Sequence, residues 1–181
     1  FYEQQSGQSY SVRGQVAGWY TARKDAAYYG SNQNETAVRE LVKEALAQVA
    51  ADPAIDLAEF DQEDRYDLNG NGNRDEPDGL IDHLMIFHSS VGEEAGGGDL
   101  GENAIWAHRW NLGAPYPIPG TSSPNGDFGG QFAAYDYTIQ PIDAAAGVCA
   151  HEYGHDLGLP DEYDTKYSGK GEPVATWSIM S

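Results

Sequence analysis

The chain of 181 residues carries 29 acidic against 10 basic side chains, and a formal net charge of −19 repels nucleic acid and anionic lipid while suiting dissolved calcium. Its length fits one domain with a real core and leaves little room for two. An acidic excess can mark disorder, but 40% hydrophobic content with twelve Tyr, five Phe and four Trp points to a packed globule.

Cys149 is the only cysteine, so no internal disulfide forms, and it reads as a small buried residue. No apolar run reaches the roughly 18 residues of a membrane span. The start, Phe1-Tyr2-Glu3, is neither an initiator methionine nor a signal peptide, and the end, Trp177 to Ser181, carries no helix stop or polar tail. Both read as the ends of an excised fragment.

In chain order, Tyr10 to Tyr20 mixes Val12, Val16, Trp19 and Tyr20 with small residues and reads as a strand of low regularity. Asn34 is a good N-cap for an amphipathic helix. Its apolar stripe of Val38, Leu41, Val42, Ala45, Leu46 and Val49 runs until Asp52-Pro53 stops it.

"DLNGNGNRDEPD", Asp67 to Asp78, follows with oxygen-bearing side chains at Asp67, Asn69, Asn71, Asn73, Asp75 and Asp78, and with Gly72 in sixth place. That spacing matches a calcium loop of the EF-hand type, because alternation lets one turn of backbone present the six to eight oxygens that calcium takes. Asp78 stands where a bidentate Glu is usual, and no helix precedes the loop. The plainer reading is a polar Asn-Gly turn.

Leu80 to Phe87, "LIDHLMIF", reads as a mostly buried strand. Ala104 to Leu112 and Phe132 to Gln140, rich in aromatic and β-branched residues, read as two more. Loops at Gly92 to Gly101 and Gly113 to Gly130 separate them. His83, His88 and His108 lack metal spacing and read as packed or surface residues.

From Pro141 a helix is expected to run through "IDAAAGVCAHEYGHDL" to Gly158, its C-terminal breaker. On it His151 and His155, four apart, project from one face with Cβ atoms roughly 5 to 6 Å apart, close enough for one ion. Zinc suits imidazole and commonly keeps three protein ligands with an open position for water. Glu152, about 100° round the helix from His151, is placed to take a proton from a zinc-bound water. After Gly158 turns the chain, Asp161 can swing back as the third ligand, with Glu162 and Asp164 as alternatives. The plain alternative is a solvated helix with two surface histidines.

"HEYGHDLGLPDEYD" with "WSIMS" downstream resembles the immune inhibitor A family of secreted bacterial zinc metallopeptidases, a zincin group related to the metzincins. The likeness extends to "DGLIDHLMIFHS", "GEEAGGG" and "AIWAHRWNL". Asp161 departs from the general metzincin pattern, which has a third His there. The resemblance implies an α+β, metzincin-like domain over residues 1–181, ending just after a methionine turn at Met180. It implies a mixed twisted sheet with a backing helix and an active-site helix, and a further short strand near Ile55 to Phe60. It also implies a secreted endopeptidase acting on extended polypeptide, which adds to a sheet edge at Ala104 to Leu112 beside Trp106 and Trp110. Those tryptophans also read as core anchors, since they share strand parity. Rival classes are a noncatalytic calcium- and zinc-binding adhesion or structural module, and a zinc hydrolase of non-peptide amides.

Overall fold

The computed structural model describes every residue of the chain except Glu35, Asp127, Tyr167, Lys170, Glu172 and Pro173. Among the described residues three strands form one sheet: β1 (Met85–His88), β2 (His108–Pro117) and β3 (Ala133–Pro141). Their spatial order is β1-β3-β2, with β1 parallel and β2 antiparallel to the central β3, so the expected mixed sheet is borne out. All of β3 but Tyr135 is buried, as a middle strand covered on both faces must be. Ile86 and His108 both pair opposite Ile139, and Trp110 pairs opposite Tyr137.

Among the described residues four α-helices accompany the sheet. The short α1 (Tyr2–Gln5) and α2 (Ala26–Tyr29) precede the fourteen-residue α3 (Ala37–Ala50), and α4 (Ala146–Asp156) packs against β3 and β2. The predicted stripe of α3 is the face that packs. Val42 and Leu46 are buried with Tyr29, Ile105, Leu112, Ile118, Tyr137 and Ile139, while Val38, Leu41 and Val49 flank them. Burying Val42 and Leu46 stabilises the fold by about 1.5–3 kcal/mol each.

Several boundaries differ from the sequence reading. Tyr10 to Tyr20 makes no strand: Val16 is 98% and Trp19 71% exposed, so its apolar residues do not share a buried face. The segment near Ile55 to Phe60 holds a 3₁₀ turn, Leu57–Phe60, started by the Asp56 carboxylate accepting from the Ala58 amide at 3.0 Å. The cap of α3 is Thr36 rather than Asn34, which instead accepts hydrogen bonds from the Thr36 hydroxyl and the Ala37 amide. Of the Leu80 to Phe87 stretch, Leu80 makes a lone bridge to Ala133 and the strand proper starts at Met85.

β2 starts four residues later than predicted and runs into the proline-rich stretch. Its pairing with β3 is irregular between Asn111 and Tyr116, where Gly113 has φ +88°. Pro115 and Pro117 are tolerated because β2 is an outer strand, where a missing N–H breaks no ladder. Trp106 consequently lies just before the strand. Helix α4 starts at Ala146, not Pro141, because Pro141 is still paired opposite His88 and the Ile142 amide still donates to the His88 carbonyl at 2.8 Å.

Candidate metal centre

Helix α4 ends by reversing. Gly158 adopts φ +91°, a conformation cheap only without a Cβ, and the Gly158 and Leu159 amides close the last turn on the His155 and Gly154 carbonyls. The turn presents the Leu159 carbonyl to Nδ1 of His155 at 2.9 Å, and the Ile179 carbonyl lies 2.9 Å from Nδ1 of His151. Each carbonyl can only accept, so each imidazole donates from Nδ1 and turns its Nε2 the other way. Those two Nε2 atoms stand 3.1 Å apart, with the rings nearly perpendicular.

The same reversal brings in Asp161, whose Oδ1 lies 3.4 Å from Nε2 of His151 and 3.1 Å from Nε2 of His155. That oxygen is buried without a hydrogen-bond donor. Among the described residues these three form the one group of three or more His, Cys, Asp or Glu residues whose ligand atoms all lie within 4.8 Å of one another. Two imidazole nitrogens and a carboxylate oxygen converging on one point form an arrangement that a cation can hold. Two neutral imidazoles and one carboxylate are a donor set that fits zinc.

The final residues pack against α4. The Met180 carbonyl accepts from the Glu162 amide at 2.7 Å, and the Met180 side chain is buried against Gly154, where a Cβ would collide with its sulfur. The Tyr2 hydroxyl reaches the same spot and donates to the Ala150 carbonyl at 2.7 Å. Gly154, one of the two unspecified positions between the motif's Glu and second His, thus has a packing reason that the motif alone does not reveal.

Glu152 is 6% exposed. Burial lifts its carboxyl above the usual range, while the His151 and His155 rings and the Arg109 backbone N–H on β2 act in the opposite sense. Behind α4 lies a set of charges that sequence reasoning missed. Asp156 hydrogen-bonds His83 and lies 3.4 Å from Arg65, and Asp136 on β3 pairs with Arg109 and accepts from the Tyr66 hydroxyl at 2.7 Å. Arg65 also donates to the Asp156 carbonyl at 2.5 Å, which fastens the end of the helix. Burial works to raise the Asp156 carboxyl, but His83, Arg65 and Arg109 hold it below the ordinary range. Burial and the Asp136 hydrogen bond push the Tyr66 hydroxyl up to about 12. The available signal was a charged residue inside each apolar run: His83, Arg109 and Asp136.

The remaining sequence candidates are placed as follows. Asn69, Asn71 and Asn73 each accept the amide two residues on, at 2.9, 2.6 and 3.2 Å, and Asp67 accepts the Gly72 amide at 3.0 Å. The three Asn side-chain amides, however, donate to Glu76. Asp75 is exposed, whereas Asp78 is buried elsewhere, near Asp61 and Asp64, so the carboxylates of Asp67, Asp75 and Asp78 do not gather at one point. Trp106 and Trp110 are 55% and 54% exposed, which removes the core-anchor reading. His88 bonds Ser90 and His108 meets Tyr137 edge to face, both packed as expected; Cys149 is only partly buried.

A helix that holds two imidazoles and a buried carboxylate against a mixed sheet is the arrangement of a metallopeptidase domain. The chain belongs to the immune inhibitor A peptidase M6 family, whose catalytic-domain model matches residues 1–181, and the resemblance read from the motif is borne out. The Pre-pro-metalloprotease PrtV of Vibrio cholerae serotype O1, from strains M66-2 and ATCC 39315 / El Tor Inaba N16961, is 70% identical over 186 residues, covering 100% of this chain and 20% of the relative. Immune inhibitor A of Bacillus thuringiensis subsp. alesti is 56% identical over 189 residues, covering 100% of this chain and 27% of that protein. The chain thus spans about a fifth to a quarter of the length of the curated relatives it matches.

Proposed function

We propose that this chain is the catalytic domain of a secreted, zinc-dependent endopeptidase in which His151, His155 and Asp161 hold the metal and Glu152 moves the proton. The observation that carries the reading is the convergence of two imidazole Nε2 atoms and one carboxylate oxygen, with both Nδ1 positions facing backbone carbonyls. When bound there, zinc polarises a peptide carbonyl and brings the acidity of a coordinated water near neutrality. Glu152, on the same turn of α4 but outside the ligand group, takes a proton from the attacking water and returns it to the departing amine. Its raised proton affinity suits a group that must serve as base and then as acid. Met180 forms the floor of this centre and keeps water from its underside.

An extended substrate segment lies along β2, which pairs with β3 on one side only among the described residues. Trp110, and Trp106 just before the strand, present exposed indoles at that edge. No described helix is long and apolar enough to cross a membrane. Export fits the pre-pro form in the name of the Vibrio relative.

The test is a casein assay with a chelator, followed by stoichiometric zinc, alongside metal analysis. Activity that is lost on chelation and restored by zinc is expected; hydrolysis indifferent to chelation would end the proposal. A separate expectation concerns the edge: Trp110→Ala should raise KM for a peptide substrate about threefold to tenfold with little change in kcat. An unaltered KM would remove Trp110 from the substrate path.

A further inference from the structure

The stretch just before β2 and the stretch joining α2 to α3 enclose a cavity of about 220 Å³. That is below the roughly 300–1,000 Å³ of pockets that enclose a whole drug-sized ligand, and it suits a single side chain. Tyr29, Val38, Ile105, Trp106 and His108 line it with apolar and aromatic surface, and Glu93 is the one carboxylate among its described lining residues. His108 adds no positive charge. Its Nδ1 donates to the Trp106 carbonyl at 2.7 Å, and burial holds the imidazole below its ordinary range. Glu93 makes no ion pair among the described residues.

The walls are fastened to each other. A Cβ at Gly30 would collide with the Asn103 carbonyl oxygen, so the end of α2 rests directly on the backbone that leads into β2. The Asn32 side chain donates to the Glu102 carbonyl at 2.9 Å, and the Glu93 amide donates to the Ile105 carbonyl at 3.1 Å. An occupant therefore meets a cavity already formed, which keeps the ordering cost of binding small.

We propose, resting on the peptidase reading with substrate along β2, that this cavity is a specificity subsite for a lysine or arginine side chain of the substrate, with Glu93 meeting the cation and Trp106 flanking it. A basic side chain has the two parts that the lining matches. Its methylene stem lies on apolar surface, and its cation is stabilised by a carboxylate and by an indole face. An acidic side chain would be repelled by Glu93 and by the net charge of −19.

The position follows from the edge strand. The Arg109 backbone N–H faces Glu152, which sets the cleaved bond near Arg109. At about 3.3 Å per residue Trp106 lies roughly 10 Å back along the chain, two or three substrate residues away. Antiparallel addition is the more stable pairing, and a strand added so passes Arg109 first and Trp106 afterwards. The occupant is thus the second or third residue after the cleaved bond.

The test is cleavage of a peptide library by the zinc-loaded chain, read by mass spectrometry, with kcat/KM then measured on matched peptides carrying Lys, norleucine or Glu at that position. Lys and Arg should be enriched there, and the Lys peptide should exceed the norleucine peptide about fivefold to tenfold in kcat/KM. Glu93→Gln should bring that ratio to within about twofold of unity while leaving the norleucine peptide and the zinc content unchanged. Glu93→Lys should turn the preference toward the Glu peptide. Zinc-dependent hydrolysis with no basic preference at that position, or with one that Glu93→Gln leaves intact, would overturn the subsite and leave the peptidase reading standing. No zinc-dependent cleavage of any library peptide would remove that reading and the subsite with it.

Discussion

Glu152→Gln is expected to yield a folded chain that binds zinc stoichiometrically and hydrolyses casein about 100-fold or more slowly in kcat/KM. The substitution keeps shape and hydrogen-bonding reach but removes the proton acceptor, so it separates proton transfer from metal binding. Three features make the effect fall on chemistry alone. Glu152 lies outside the group of three whose ligand atoms gather within 4.8 Å of one another. It is buried, so its charge supports no surface pairing. Its closest influences are the two ligand rings and the Arg109 amide, contacts that a neutral amide tolerates. A variant that keeps full activity would eliminate the general-base role and leave a metal site without catalysis.

Asp161→Ala should instead abolish tight metal binding, weakening zinc affinity by roughly 100-fold or more, since even groups that merely orient a ligand are worth 10–100-fold. Competition with a chromophoric chelator measures this directly. The sequence left Glu162 and Asp164 open as substitutes. The fold separates them: the Asp161 oxygen reaches both imidazoles, Glu162 contributes its amide to the Met180 carbonyl, and the Asp164 carboxylate accepts from the Lys166 amide and the Ser168 hydroxyl. Glu162→Gln and Asp164→Asn should therefore keep zinc affinity within about threefold. Loss of zinc in either, with Asp161→Ala unaffected, would reassign the third ligand.

Which parts of this were legible beforehand follows from how local their causes are. The stripe of α3, the His151–His155 pair and the glycine reversal at Gly158 each depend on residues within a turn or two, and the sequence exposes them. The strands around Met85 and Ala133 were readable from their apolar composition and the mixed sheet from the resemblance, but the expected burial held only for the second: Met85 and Phe87 are exposed. Tyr10 to Tyr20 misled because strand-like composition does not supply a strand partner. The start of α4 misled because Pro141, a good first helical residue, is equally acceptable as the last residue of β3. The Asp67 to Asp78 spacing was real, but burial redirected Asp78 toward partners 14 and 17 positions earlier, Asp64 and Asp61, beyond the reach of any loop template. Gly154 and the charges behind α4 depend on contacts with Tyr2, Met180, Arg65 and Asp136, which no local pattern announces.

The carbonyl that sets the tautomer of His151 belongs to Ile179, 28 positions away, whereas the one serving His155 is only four positions off. One half of the chelate is thus prepared as soon as the helix reverses, and the other waits for the tail of the sequence to dock. An early helical intermediate would offer an ill-oriented ring and hold its ion loosely. Zinc uptake during refolding should accordingly clock the last stage of assembly rather than the first.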